Sequence, residues 1–199
     1  MSPLRTLADR VLTSAPAVSL HHVPGGGVPL VGSDHRDGAR LATRHLIRLG
    51  HTVIGTVTGP FRRHVVRSRL HGYGDVLREA GIEPGEDPAD EADWTPGAAA
   101  ATRLLLECDP AKTAVFVHSD AMAIGVLSAL ARAGRRVPDD VAVVSCDDMP
   151  FAESGEVAVE LLLGRITGQP PLDEPILLPV GLVVRGSCGG QPAASAPTT

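Results

Sequence analysis

Residues 113–148, TAVFVHSDAMAIGVLSALARAGRRVPDDVAVVSCDD, decide how the rest of the chain is read. Ala114-Val115-Phe116-Val117 is an apolar run of strand length. Between Asp120 and Ala133 the residues Ile124, Leu127, Leu130 and Ala131 recur at the spacing of one helix face. Ser119 or Asp120 can accept from the free amides of the first turn, and Gly134 can take the left-handed position that ends the helix. Val137-Pro138-Asp139-Asp140 reads as a turn and Val141-Ala142-Val143-Val144 as a second strand. Two short buried strands joined through a helix of this size run parallel, with a right-handed crossover. His118-Ser119-Asp120 and Cys146-Asp147-Asp148 then fall at the carboxyl ends of neighbouring strands, the edge where open α/β sheets take their ligands.

Working outward, the same alternation continues. Leu4 to Leu12 resembles the last turns of a helix, with Leu4, Leu7 and Val11 on one side, and Ala17 to Leu20 reads as a strand. Val28 to Val31 is a further apolar run. A helix from about Gly38 to Leu49 carries Leu41, Ala42, Leu46 and Leu49 on its apolar face and stops at Gly50. Val53 to Val57 is a strand opening into a polar loop. A helix starting near Arg69 carries Leu70, Tyr73, Val76 and Leu77 and closes at Gly81. Ile82 to Trp94 reads as loop with room for a short strand, and Gly97 to Cys108 as an Ala/Leu helix. The succession from Ala17 to Ser145 implies an α/β fold, a parallel sheet flanked by helices on both faces. After Asp148 the pattern changes: an amphipathic helix spans Ser154 to Gly164, and a strand from Ile176 to Val184 is interrupted by Pro179 and Gly181. No internal repeat is present, and the Pro/Ala/Ser/Thr tail reads as disordered.

Composition removes several function classes. The 199 residues are 43% hydrophobic and 21% charged, which is ordinary for a globular chain. Aromatics make up 3%, too few for a base-stacking surface, and the net charge of −5 argues against direct DNA wrapping. Arg62, Arg63, Arg67 and Arg69 form a local basic cluster, for most of which a solvated loop is favoured over a phosphate site. Cys108, Cys146 and Cys188 lack disulfide-framework or zinc spacing, so a reducing cytoplasm is expected and no metal or cofactor. The first residues lack the apolar core of a signal peptide, and no run approaches the ~20 residues of a membrane span. Asp147-Asp148 near His118 is compatible with acid–base or metal chemistry. No dinucleotide fingerprint, Walker loop or nucleophile elbow accompanies it, so the chain is not expected to be an enzyme.

Four segments, in this order, carry a resemblance: DHRDGARLATRHLIRLGHTVIGTVTGP, RSRLHGYGDVLREAGI, HSDAMAIGVLSALARAGRRVPDDVAVVSCDD and LLPVGLVVRGSCG. With their spacing they resemble the effector-binding region of the lactose/galactose repressor (LacI/GalR) family, from about Pro16 to Gly189. The resemblance implies a periplasmic-binding-protein-like I fold of two α/β lobes with a sugar or related small metabolite in the cleft. It also implies homodimerisation and operator DNA bound through a helix-turn-helix headpiece, with no membrane partner. Arg69 matches an arginine pairing with ligand hydroxyls, for which its fixed fork of donors is suited. Asp147 matches a carboxylate accepting from them. Ser119 matches a small polar ligand contact, Trp94 an apolar or aromatic cleft position, and His21 the place of a ligand-binding acid. Asp120 and Asp148 are read as helix caps or turn braces.

The resemblance implies an organisation with residues 1–33 as a remnant of the N-terminal lobe and 34–150 as a nearly complete C-terminal effector-binding lobe. Residues 151–168 form a helix returning to the N-terminal lobe, 169–188 the final strand region, and 189–199 the tail. LRTLADRVLTSA is followed by Pro16 and a strand, so the headpiece is expected to be absent from this chain. The segment between Cys146-Asp147-Asp148 and the next helix is shorter than the family pattern. The leading expectation is the small-metabolite-sensing domain of a transcription regulator. A solute-binding protein of transport and a non-functional truncated relic are the alternatives.

Overall fold

The computed structural model describes residues 18–20, 29–84, 94–147, 151–170 and 175–190. The reading of Leu4 to Leu12 as a helix, most of the loop before Trp94, Asp148 and the tail lie outside these residues. The described residues fall into two compact units.

The larger unit, residues 35–148 with 181–199, holds a three-stranded parallel sheet. Its strands are β2 (Ile54–Val57), β3 (Ala114–Val117) and β4 (Ala142–Ser145), in that spatial order. Register pairs Val57 with Val117 and Val117 with Ser145. All four residues of β2 and of β3 are buried, as a strand covered on both faces requires. On one face lie α1 (His35–Arg48) and α2 (His64–Glu79), and on the other α3 (Trp94–Cys108) and α4 (Asp120–Arg132).

Side-chain alternation divides the core accordingly. Ile54, Phe116 and Val144 meet Ala42, Leu46, Tyr73 and Leu77 of α1 and α2. Val57, Val115, Val117 and Val143 meet Ala101, Leu105, Val126 and Leu130 of α3 and α4. The Tyr73 hydroxyl donates to the Ile54 carbonyl at 2.7 Å from a side chain that is 2% exposed. Tyr73→Phe is expected to cost about 1 kcal/mol in urea unfolding, the net worth of one buried neutral hydrogen bond. Residues 181–190 return to this unit. There Cys188 is 4% exposed, with its Sγ 3.2 Å from His45 Nε2 on α1.

The smaller unit, residues 1–34 with 149–180, contains β1 (Val31–Ser33) paired in parallel with β5 (Ile176–Leu178). Ser19 bridges to Leu30 in the same sense, and α5 (Phe151–Ile166) packs on β1. The strand expected to run to Val184 stops at Leu178: Pro179 has no amide to donate to a ladder.

Other boundaries move for local reasons. The helix expected near Arg69 begins at His64, because the Arg63 amide donates to Pro60 at 3.0 Å and closes a turn that runs on into the helix. Gly81 and Gly134 end their helices at φ 68° and 69°, as read from the sequence.

Candidate functional site

The site is built on the carboxyl edge of β2, β3 and β4, where each strand gives way to a loop or helix. After β3 the chain turns directly into α4. Ser119 is the N-cap, its backbone extended and its side chain accepting from the Met122 amide at 3.2 Å. Asp120 in the first turn accepts from the Ser145 hydroxyl at the end of β4. The two strand ends are therefore tied by a hydroxyl–carboxylate bond as well as by backbone.

Arg69, one turn and a half into α2, reaches over this edge. Its side chain is 9% exposed and its guanidinium donates to three places. One terminal nitrogen donates to the His118 carbonyl, and the other to Asp147 Oδ1 at 3.1 Å and His35 Nδ1 at 3.3 Å. Arg69 thus ties α2 to the first residue of α1 and to the ends of β3 and β4. Asp147 is the exposed half of the pair, with 40% of its side chain open. Its second oxygen lies 3.4 Å from the Asp120 amide, at the positive end of α4.

The backbone of Asp147 is strained. Its φ of 153° lies where residues with a side chain are rarely found, at a cost of about 1–3 kcal/mol. The bonds to Arg69 and to the Asp120 amide hold the carboxylate at the sheet edge against that cost. Strain of this kind concentrates where a side chain must be aimed.

His118 differs from what its place in the sequence suggests. It is 2% exposed, it lies against the Phe116 ring with centroids 5.2 Å apart, and neither ring nitrogen has a hydrogen-bond partner among the described residues. Burial, and secondarily the charge of Arg69, lowers its pKa to about 3, so the imidazole is neutral at pH 7. Burial likewise pushes the Cys146 thiol up to about 11. The Cys146 thiol is thus not an activated thiolate, and among the described residues no cluster of three or more metal-ligating side chains is present.

Of the residues singled out by sequence, Arg69, Asp147 and Ser119 come together on this edge. Trp94 opens α3, and its side chain is not among those described. His21 lies outside the described residues. Sequence reading passed over His35 and Thr58. Thr58 follows β2 on the same face as Thr56, is 4% exposed, and its hydroxyl has no partner among the described residues. Strand alternation was the signal available for Thr58; nothing local marks His35.

A family model described as a periplasmic binding protein-like domain matches residues 43–188. The chain belongs to that family. Within it the chain is similar to LacI-family regulators, in agreement with the motifs. It is 38% identical to the HTH-type transcriptional regulator CelR of Thermobifida fusca, covering 83% of this chain and 53% of that protein. It is 36% identical to the ribose operon repressor of Escherichia coli K12, covering 93% of this chain and 61% of the repressor. The chain thus spans little more than half the length of these curated relatives. Among solved structures it is similar to a CelR–cellobiose complex, with 31% identity and a TM-score of 0.80 over 94% of this chain and 71% of that one. A LacI-family transcriptional regulator from Mycobacterium smegmatis gives 29% identity and a TM-score of 0.76 over 87% and 69%. The periplasmic-binding-protein-like fold read from the motifs is the fold of this family member. No helix among the described residues is long and apolar enough to cross a membrane.

Proposed function

We propose that this periplasmic-binding-protein-like chain is the effector-sensing domain of a LacI-type transcriptional regulator, with a sugar or related small metabolite bound at the carboxyl edge of β2, β3 and β4. The observation that carries this is the Arg69–Asp147 pair, a buried guanidinium 3.1 Å from a carboxylate that is 40% exposed. A sugar hydroxyl both donates and accepts. It can donate to Asp147 and accept from the Arg69 fork, so ligand binding exchanges one charge-assisted bond for two. Ser119 supplies a third contact, Trp94 an aromatic face for the ring, and His21 a polar contact. The similarity to a regulator solved as a cellobiose complex and to a ribose operon repressor supports a carbohydrate.

The domain works without a catalytic step, in the cytoplasm and as a homodimer. Ligand favours one arrangement of the regulator over another, and operator DNA is bound through a headpiece outside this chain. Isothermal titration with a panel of pentoses, hexoses, disaccharides and nucleosides is expected to give saturable heat with at least one. Asp147→Asn is expected to weaken that ligand about tenfold, the worth of one charge-assisted hydrogen bond. Heat from none of the panel, on a chain shown by its thermal melt to be folded, would sink the idea.

A further inference from the structure

Charge is distributed unevenly along this chain. Residues 35–79 hold nine of its 18 Lys and Arg but three of its 23 Asp and Glu, so they carry +6 in a chain whose net charge is −5. Five of those arginines line the outer seam between α1 and α2. On α1, Arg36, Arg40, Arg44 and Arg48 recur at every fourth residue, a ladder with rungs about 6 Å apart. Arg78 lies opposite them on α2. The two helices run side by side in the same direction, since Arg36 meets Asp75 whereas Arg40 and Arg44 meet Glu79.

Each acid of the seam is shared between two bases. Asp75 accepts from Arg36 at 2.7 Å and from Arg78 at 3.3 Å, and Glu79 accepts from Arg40 and Arg44, one on each oxygen, at 2.9 Å. Arg48 is exposed and makes no ion pair among the described residues. Asp37 is the one further acid in the sequence of the two helices. Five guanidiniums therefore meet two carboxylates along the seam, and each guanidinium carries five donors in a rigid plane. The shared acids already hold four of these forks in place. A partner that accepts from the remaining donors loses less rotamer freedom than it would against unpaired side chains.

We propose that the α1–α2 seam is a docking surface for a second protein, through an acidic helical segment that carries carboxylates at four-residue spacing. Such carboxylates repeat at the same rise of about 6 Å as the arginine ladder and stay in step along it. An extended segment presents its same-face residues about 6.6–6.8 Å apart and slips out of step over the four rungs. A nucleic acid fits less well. Outside residues 35–79 the chain has 20 acids against nine basic residues, which repel a long polyanion. The one Phe, Trp or Tyr of the two helices, Tyr73, is buried, so the seam offers no such ring for a base to stack on. The inference concerns a macromolecular partner and stands independently of the effector reading.

Fluorescence anisotropy on the full chain tests this with three labelled probes. They are a capped alanine-based helix of about 20 residues with glutamate at every fourth position, the same residues with the glutamates blocked at the N-terminal end, and a short DNA duplex. The spaced peptide is expected to bind with a Kd of about 10–100 µM at low salt, about threefold or more tightly than the blocked one, and to be released as salt rises. Arg48→Gln is expected to weaken it about threefold and Arg44→Glu about tenfold, whereas Arg103→Gln, exposed on α3, leaves it unchanged. Because Arg48 makes no ion pair, Arg48→Gln is expected to melt within about 2 °C of the parent, which separates lost binding from lost fold. Equal binding of the two peptides would overturn the helical register. Duplex DNA binding more tightly than the spaced peptide would overturn the choice of a protein partner. Binding that survives both Arg44→Glu and Arg48→Gln would place the acidic ligand elsewhere and overturn the seam. If the peptide binds only after the six acids of residues 83–93 are neutralised, the chain's own acidic stretch is the occupant and the partner assignment falls. Binding in neither form overturns the surface itself.

Discussion

Gly125→Ala is expected to destabilise the larger unit by about 2–3 kcal/mol in urea unfolding, in the range of overpacked cores. The sign runs against the local rule, since glycine in a helix interior ordinarily costs about 0.5–1 kcal/mol relative to alanine. Here α4 approaches α3 so closely that a Cβ on Gly125 would lie 2.2 Å from the Thr95 carbonyl oxygen and 3.0 Å from the Ala99 amide nitrogen. Both are backbone atoms of a packed helix and cannot swing aside. The opposite face of the sheet repeats the device. On α2, a Cβ on Gly72 would lie 2.2 Å from the Arg36 carbonyl of α1, so Gly72→Ala is expected to cost a similar amount. Gly74, two residues on, is the internal control. Its added Cβ meets only Arg78 Nη2 at 3.2 Å, the end of a side chain that is 62% exposed. Gly74→Ala is therefore expected to be neutral or stabilising by up to about 1 kcal/mol. Equal effects at all three positions would show that helix propensity, not the close approach of backbones, governs them.

The second large effect is a loss of stability in acid that His118→Met removes in part. His118 titrates at its ordinary 6.5 in the unfolded chain and at about 3 in the folded one. Between these values the unfolded state binds the extra proton, so stability falls as pH falls, by up to about 1.4 kcal/mol per pH unit from this group. Above pH 6.5 the imidazole is neutral in both states and the contribution is flat. Burial is the first cause. The Arg69 guanidinium on α2 is the second, and the register neighbour Cys146 remains an uncharged thiol. His45 and His51 are lowered in the same direction, also by burial first, so the acid limb is shallower in the variant but not abolished. Urea midpoints at pH 7, 5.5 and 4.5 measure this. Parallel curves for the parent and His118→Met would show that the imidazole takes up its proton in the folded state as well.

Much of the architecture was open to reading from the chain alone. Val115 and Val117 alternate with Ala114 and Phe116, the helix from Asp120 is there, and Gly134 closes the turn, but the helix face read from Ile124 and Leu127 is not the buried one: these two are 63% and 40% exposed, and Met122, Gly125, Val126, Ala129 and Leu130 face the core. Each of these signals is local, set by backbone sterics and by the period of one element. The motif order around Arg69, Ser119 and Asp147 carried the family as well. Boundaries were less legible than elements, because one short turn or one proline is enough to move them. The turn closed by Pro60 moved the start of α2 back to His64, and the proline after Leu178 cut the last strand short.

The stretch 113–148 by itself determined a parallel strand–helix–strand unit with Ser119 or Asp120 as a cap, of which the structure uses Ser119, and with acids at the ligand edge. Periodicity and the geometry of crossovers leave little choice. What the tertiary structure alone decided is how that edge is wired. The partners of Arg69 lie 34, 49 and 78 residues away, and no local pattern can announce bonds across such distances. The strained backbone of Asp147 and the two glycine contacts between helices are likewise decided by packing. So is the fate of His118: on the strand its alternation placed it inside, but only the closure of α2 over the sheet stripped it of water and of partners.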